Sequence, residues 1–133
     1  MTLKSIGFAG LAVMLGLWGG VASAQSAEGM WRTQTDDRGQ RAIVSARPCG
    51  ADALCGTIVQ VLDPSLRAIE HPNIGVQLFW DMVPTGKGLY AGRAFVPAMK
   101  AKTKATMQVV GQEMKVKGCI GPICKSQIWT RVP

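Results

Sequence analysis

The sequence is poor in the residues from which catalytic centres are usually assembled. Its single histidine, His71, stands beside Pro72, and no G-x-S-x-G elbow is present for an imidazole to serve, so it reads as a solvated loop residue. One imidazole makes no histidine cluster, and the cysteines are not spaced as C-x-x-C. Neither a zinc site nor a thioredoxin-type redox motif is therefore expected. Carboxylates are few, 8 Asp+Glu against 15 Lys+Arg, and the adjacent pair Asp36-Asp37 belongs to the turn sequence Asp36-Asp37-Arg38-Gly39. A Gly-rich phosphate loop opening a helix is also missing, as is any helical period sustained for about ten residues. The expectation is a protein that is not an enzyme and takes no cofactor and no metal. Internal repeats and linker compositions are absent too, and 133 residues leave room for one ordinary domain.

What is present begins with an address. Lys4 is the only charge before Glu28, and it is followed by an apolar stretch from Ile6 to Val21 and then Ala22-Ser23-Ala24. A basic start, an apolar centre and an A-x-A exit predict a secretory signal over residues 1–24, cleaved before Gln25, with residues 25–133 as a single secreted domain. A retained membrane anchor is the alternative, because the uncharged run is long enough to span a bilayer. Five glycines and the small-residue exit favour cleavage, and the mature form then has no transmembrane span. The first cysteine is Cys49, which argues against a lipoprotein signal. Placement in the periplasm or the medium turns paired cysteines into disulfides. Cys49 and Cys55 enclose one short loop, Cys119 and Cys124 another, and both lie in Gly/Pro-rich turns, so two local bonds are expected. Four cysteines permit three connectivities, and the crossed ones stay open.

The mature chain reads as all-β. Strands are expected at 29–35, 40–47, 56–62, 75–83, 89–96, 105–110, 113–117 and 125–132, separated by turn residues, with 63–73 as the longest irregular stretch. Val76, Leu78, Trp80 and Met82 fall in one phase of the fourth of these. Met107 and Val109 alternate against Met114 and Val116 across Gly111-Gln112, a hairpin pattern. Eight strands with short connections suit a small antiparallel barrel, or failing that a two-sheet sandwich.

Four pieces of the mature chain, in order, resemble a family of small secreted bacterial domains of unknown function. They are G-x-W at Gly29-Met30-Trp31, P-C-G and L-C-G-x-I-V within Pro48 to Val59, P-x-G-x-G at Pro84 to Gly88, and V-x-G-C-x-G followed by Q-x-W-T-R at Gln127 to Arg131. The resemblance implies a lipocalin-like, eight-stranded antiparallel barrel. It also implies that Trp31 plugs the barrel floor with Arg131 packed across its indole as a structural partner. Two segments depart from the family pattern, His71-Pro72-Asn73-Ile74-Gly75 and Val96-Pro97-Ala98-Met99-Lys100-Ala101-Lys102. They would make any entrance framed by them more basic and more apolar.

Two binding surfaces follow from the inventory. Met30, Met82, Met99, Met107 and Met114 are many methionines for a small core, and flexible thioethers can line an adaptable apolar pocket. Trp80, Met82, Met107 and Met114 are accordingly expected to line a site for a small apolar or amphipathic ligand, against the plainer reading that they fill the core. The second surface is cationic. Lys100, Lys102 and Lys104 recur at every second position, which on a strand puts them on one face, with Lys115 and Lys117 on a neighbouring element and Lys125 near by. Strand lysines often protect a sheet edge; the functional alternative is docking on an anionic envelope component. Nucleic acid is not an expected partner of an exported protein.

Overall fold

The computed structural model describes residues 26–133; the expected signal segment and its cleavage site lie outside the described residues. Nine strands form one antiparallel sheet: β1 Gly29–Arg32, β2 Arg41–Pro48, β3 Leu54–Leu62, β4 Ala68–Ile69, β5 Gln77–Gly86, β6 Leu89–Val96, β7 Ala101–Val110, β8 Glu113–Ile120 and β9 Ile123–Arg131. Each strand from β5 to β9 pairs with the next, β9 pairs with β1, β1 with β2, β2 with β3, and β3 with β5. The eight long strands therefore close on themselves as a barrel, which removes the exposed edges an open sheet would leave. β4 is the additional strand, pairing Ile69 with Val61 and Ala68 with Leu62 where β5 has left the edge of β3. It interrupts the irregular 63–73 segment.

Strict alternation of apolar and polar residues places the core. In β7, Thr103, Ala105, Met107 and Val109 are buried while Lys102, Lys104, Thr106 and Gln108 are exposed. The strand begins at Ala101, four residues before the expected start, because the lysine-rich segment pairs residue for residue with β6, Val96 opposite Ala101 and Phe95 opposite Lys102. Lys100 is not part of it. That residue sits in the β6–β7 turn with φ 50°, so its side chain leaves the file formed by Lys102 and Lys104.

One phase assignment is overturned. Phe79 and Met82 are the buried residues of β5, whereas Trp80 is half-exposed and pairs with the exposed Arg93. The register shifts between Trp80 and Val83, and Asp81 takes φ 53°, a left-handed conformation that aspartate tolerates better than most residues. This bulge inserts one residue and so reverses the faces on its two sides, which an unbroken alternation cannot anticipate. Opposite it, Gly56 is required by Phe79. A Cβ at position 56 would lie 2.1 Å from Phe79 Cε2, and the bare glycine lets the ring cover the inner surface of β3.

The segment before β1 is tied to three strands of the barrel, β1, β6 and β9. Trp31 is fully buried and its Nε1 donates to Ala27 O at 2.9 Å, while Ala27 N donates to the Tyr90 hydroxyl at 3.1 Å. Arg131 Nη2 donates to Ser26 O at 2.8 Å and Nη1 to Glu28 O at 3.1 Å, so β9 straps the same segment down. Both disulfides are local, Cys49–Cys55 closing the β2–β3 loop and Cys119–Cys124 joining directly paired residues of β8 and β9. Two formed disulfides fit an oxidising, extracytoplasmic environment. Among the described residues no helix is long and apolar enough to cross a membrane.

Candidate functional site

The methionines expected to line a pocket are placed in the densest part of the barrel. Met82, Met107 and Met114 rank with Trp31, Phe79 and Val44 among the largest fully buried side chains. Register supplies what faces them. Met107 lies between Tyr90 and Val116, Met114 between Val109 and Trp129, and Met82 opposite Leu54. Met82, Met107 and Met114 thus stand in the buried core with bulky neighbours beside them on the barrel wall. An eight-stranded barrel has an interior that side chains can fill, and here Trp31, Phe79, Trp129 and the methionines occupy it.

Trp80 is separated from the three methionines and looks outward, on the surface formed by β5, β6, β7 and β8. Across that surface Trp80 faces Arg93, Arg93 faces Lys104, and Lys104 faces Cys119. One row along, Phe95 faces Lys102; on the other side Thr106 faces Lys117, and Gln108 faces Lys115. Arg93, Lys102, Lys104, Lys115 and Lys117 are therefore neighbours on one outer face, all exposed. Lys125, expected near them, pairs with Gly118, in the row of opposite phase.

Two shallow, open depressions mark this face. The larger, about 560 Å³, is lined by Ala91, Gly92, Arg93, Lys104, Ala105, Thr106, Lys117 and Cys119. Its lining combines small residues such as Ala91 and Thr106 with three cations, Arg93, Lys104 and Lys117. The smaller, about 440 Å³, is lined by Gln77, Trp80, Phe95 and Lys102, with Lys102 Nζ 5.8 Å from the centre of the Trp80 ring. Apolar body, cationic rim and a few convergent polar groups are the usual ingredients of a ligand site.

The electrostatics are one-sided. From Met82 to Pro133 the sequence holds a single acidic residue, Glu113, at the end of β8, so no carboxylate side chain of β6 or β7 offsets the cations. Arg93 and Lys104 stand directly opposite each other, an arrangement that destabilises a sheet when nothing intervenes. Edge protection does not account for it, because β6, β7 and β8 are each paired on both sides. Among the described residues, no group of three or more His, Cys, Asp or Glu is placed to hold a metal ion.

Residues 29–131 match the model of a family described as an uncharacterized protein conserved in bacteria, DUF2147. The chain belongs to the DUF2147 family. The match spans every strand of the barrel. No curated protein and no solved structure matches the chain.

Arg93, Phe95 and Gln77 were not singled out from the sequence. A signal for Arg93 was available in the confinement of all but one carboxylate to the first part of the chain, a charge asymmetry that marks the second part as the cationic one. Phe95 and Gln77 join Trp80 and Lys102 only through strand pairing, which no local pattern reports.

Proposed function

We propose that the protein is an exported, non-enzymatic binding protein that docks on an anionic component of the bacterial envelope through the outer face of β6, β7 and β8. The observation that carries this reading is the direct opposition of Arg93 and Lys104 on a face where β6 and β7 carry no carboxylate and β8 carries only Glu113 at its end. Unliganded, the pair repels; a polyanion lying across the strands would convert the repulsion into binding free energy. The burial of Met82, Met107 and Met114 in the core supports the same reading, because it leaves the outer wall as the accessible surface. Uptake of a small apolar molecule into the barrel has less support for that reason. The sequence from Lys4 to Ala24 supports export to the periplasm or the medium. The closed barrel and the packing of Arg131 on Trp31 are in keeping with a lipocalin-like reading of the fold.

Titration with inorganic polyphosphate tests the proposal. Binding should weaken steeply from low salt to about 0.15 M, where the screening length is near 8 Å. Changing Lys104 and Lys117 together to Gln should remove most of it. Polyphosphate affinity that is unchanged in this double variant would refute the assignment of the face.

A further inference from the structure

Resting on that reading, a more specific ligand chemistry can be assigned to the smaller cavity. Trp80 and Phe95 are half-buried, recessed beside the cationic rows, and they share the cavity with the Gln77 amide and the Lys102 ammonium. Lys102 reaches across β6 from β7 to stand by the Trp80 ring, 5.8 Å from its centre, while Phe95 is its own cross-strand partner. A recessed aromatic wall accepts the flat apolar side of a ring, the ammonium beside it accepts a negative charge, and an amide matches hydroxyl groups. A bare phosphate chain would use only the ammonium. Acyl chains would need protruding apolar groups, as interfacial anchors have, whereas these two rings are set back in a depression.

We propose that the cavity formed by Gln77, Trp80, Phe95 and Lys102 binds a single anionic sugar residue of an envelope polysaccharide. The sugar ring stacks on Trp80, and its carboxylate or phosphate pairs with Lys102. The neighbouring groove of Arg93, Lys104 and Lys117 continues the track for the next charges of the polymer. The ring distinguishes a glycan from any other polyanion, and the cations supply the remaining affinity and its salt dependence.

The test compares oligogalacturonate, polyphosphate of matched charge and phosphatidylglycerol vesicles on the protein carrying both disulfides. In a chain starting at Gln25, which lacks Trp18, the other two indoles, Trp31 and Trp129, are buried, 0% and 4% exposed, so a ligand at the cavity is read from the emission of the half-exposed Trp80. Oligogalacturonate should shift that emission and bind more tightly than polyphosphate. By calorimetry, which does not need the Trp80 indole, Trp80→Ala should weaken oligogalacturonate about tenfold and polyphosphate by less than about twofold, while Trp80→Phe, which keeps a stacking face, retains most of the affinity. Lys102→Gln should weaken oligogalacturonate more than Trp80→Phe does. Equal losses for the two polyanions in Trp80→Ala, or a Trp80 shift with vesicles and none with oligogalacturonate, would overturn the sugar site while leaving the cationic face standing. Absence of binding to every anion would overturn both.

Discussion

The guanidinium of Arg131 lies 4.3 Å from the centre of the Trp31 ring, and the two residues are direct register partners across the β9–β1 seam. Only one further pair, Arg32 with Thr130, joins these strands, and Val132 N donates to Met30 O just beyond Arg131, so side chains reinforce a short ladder where the barrel closes. Arg131 meets this need with its face on the indole and its two terminal nitrogens on the carbonyls of Ser26 and Glu28.

Trp31→Ala should consequently be far more damaging than Arg131→Lys. Removing a fully buried indole costs on the order of 3 to 5 kcal/mol, whereas a lysine keeps the charge and forfeits stacking worth about 0.5 to 2 kcal/mol together with the bidentate reach. Thermal melts of the two variants check this. Equal midpoints would contradict a barrel end plugged by Trp31.

Gly56→Ala should lower stability by about 1 to 3 kcal/mol through overpacking, since the added methyl meets the Phe79 ring. The cost should shrink in a Phe79→Leu background, because the colliding ring is gone. A double-mutant cycle by urea unfolding measures the coupling, and additive losses would place the strain elsewhere.

Lys104→Glu separates stability from function. The substitution exchanges repulsion with Arg93 for a favourable cross-strand pair, so the ligand-free protein should melt a few degrees higher. Polyphosphate binding should fall in the same variant. A face whose charge served solubility alone would show the first effect without any binding to lose.

Each disulfide should contribute about 2 kcal/mol by the loop-entropy model, a large share of the stability of so small a domain. Replacing Cys49 and Cys55, or Cys119 and Cys124, with Ser should lower the urea midpoint accordingly. Native protein should resist alkylation, since the described residues include no free cysteine. Labelling of any cysteine before reduction would contradict this.

Much of the fold was legible in the sequence because its signals are local. Turn residues at Asp36 to Gly39, Pro84 to Gly88 and Gly111-Gln112 punctuate the chain, and the alternation in β7 and β8 sorts inward from outward residues without knowledge of partners. Cys49 with Cys55, and Cys119 with Cys124, are close enough along the chain for hairpin geometry to join them. Tertiary structure alone decided the rest. Which face Trp80 takes depends on a bulge at Asp81, set by the pairing of β5 with β6 rather than by the residues around it. Which side chains flank the methionines, Tyr90, Val116, Val109, Trp129 and Leu54, is set by register with other strands. The site is non-local for the same reason. Hydrogen bonding between strands draws Gln77, Trp80, Phe95 and Lys102 into one cavity and sets Arg93 against Lys104, and that pairing is a property of the closed barrel.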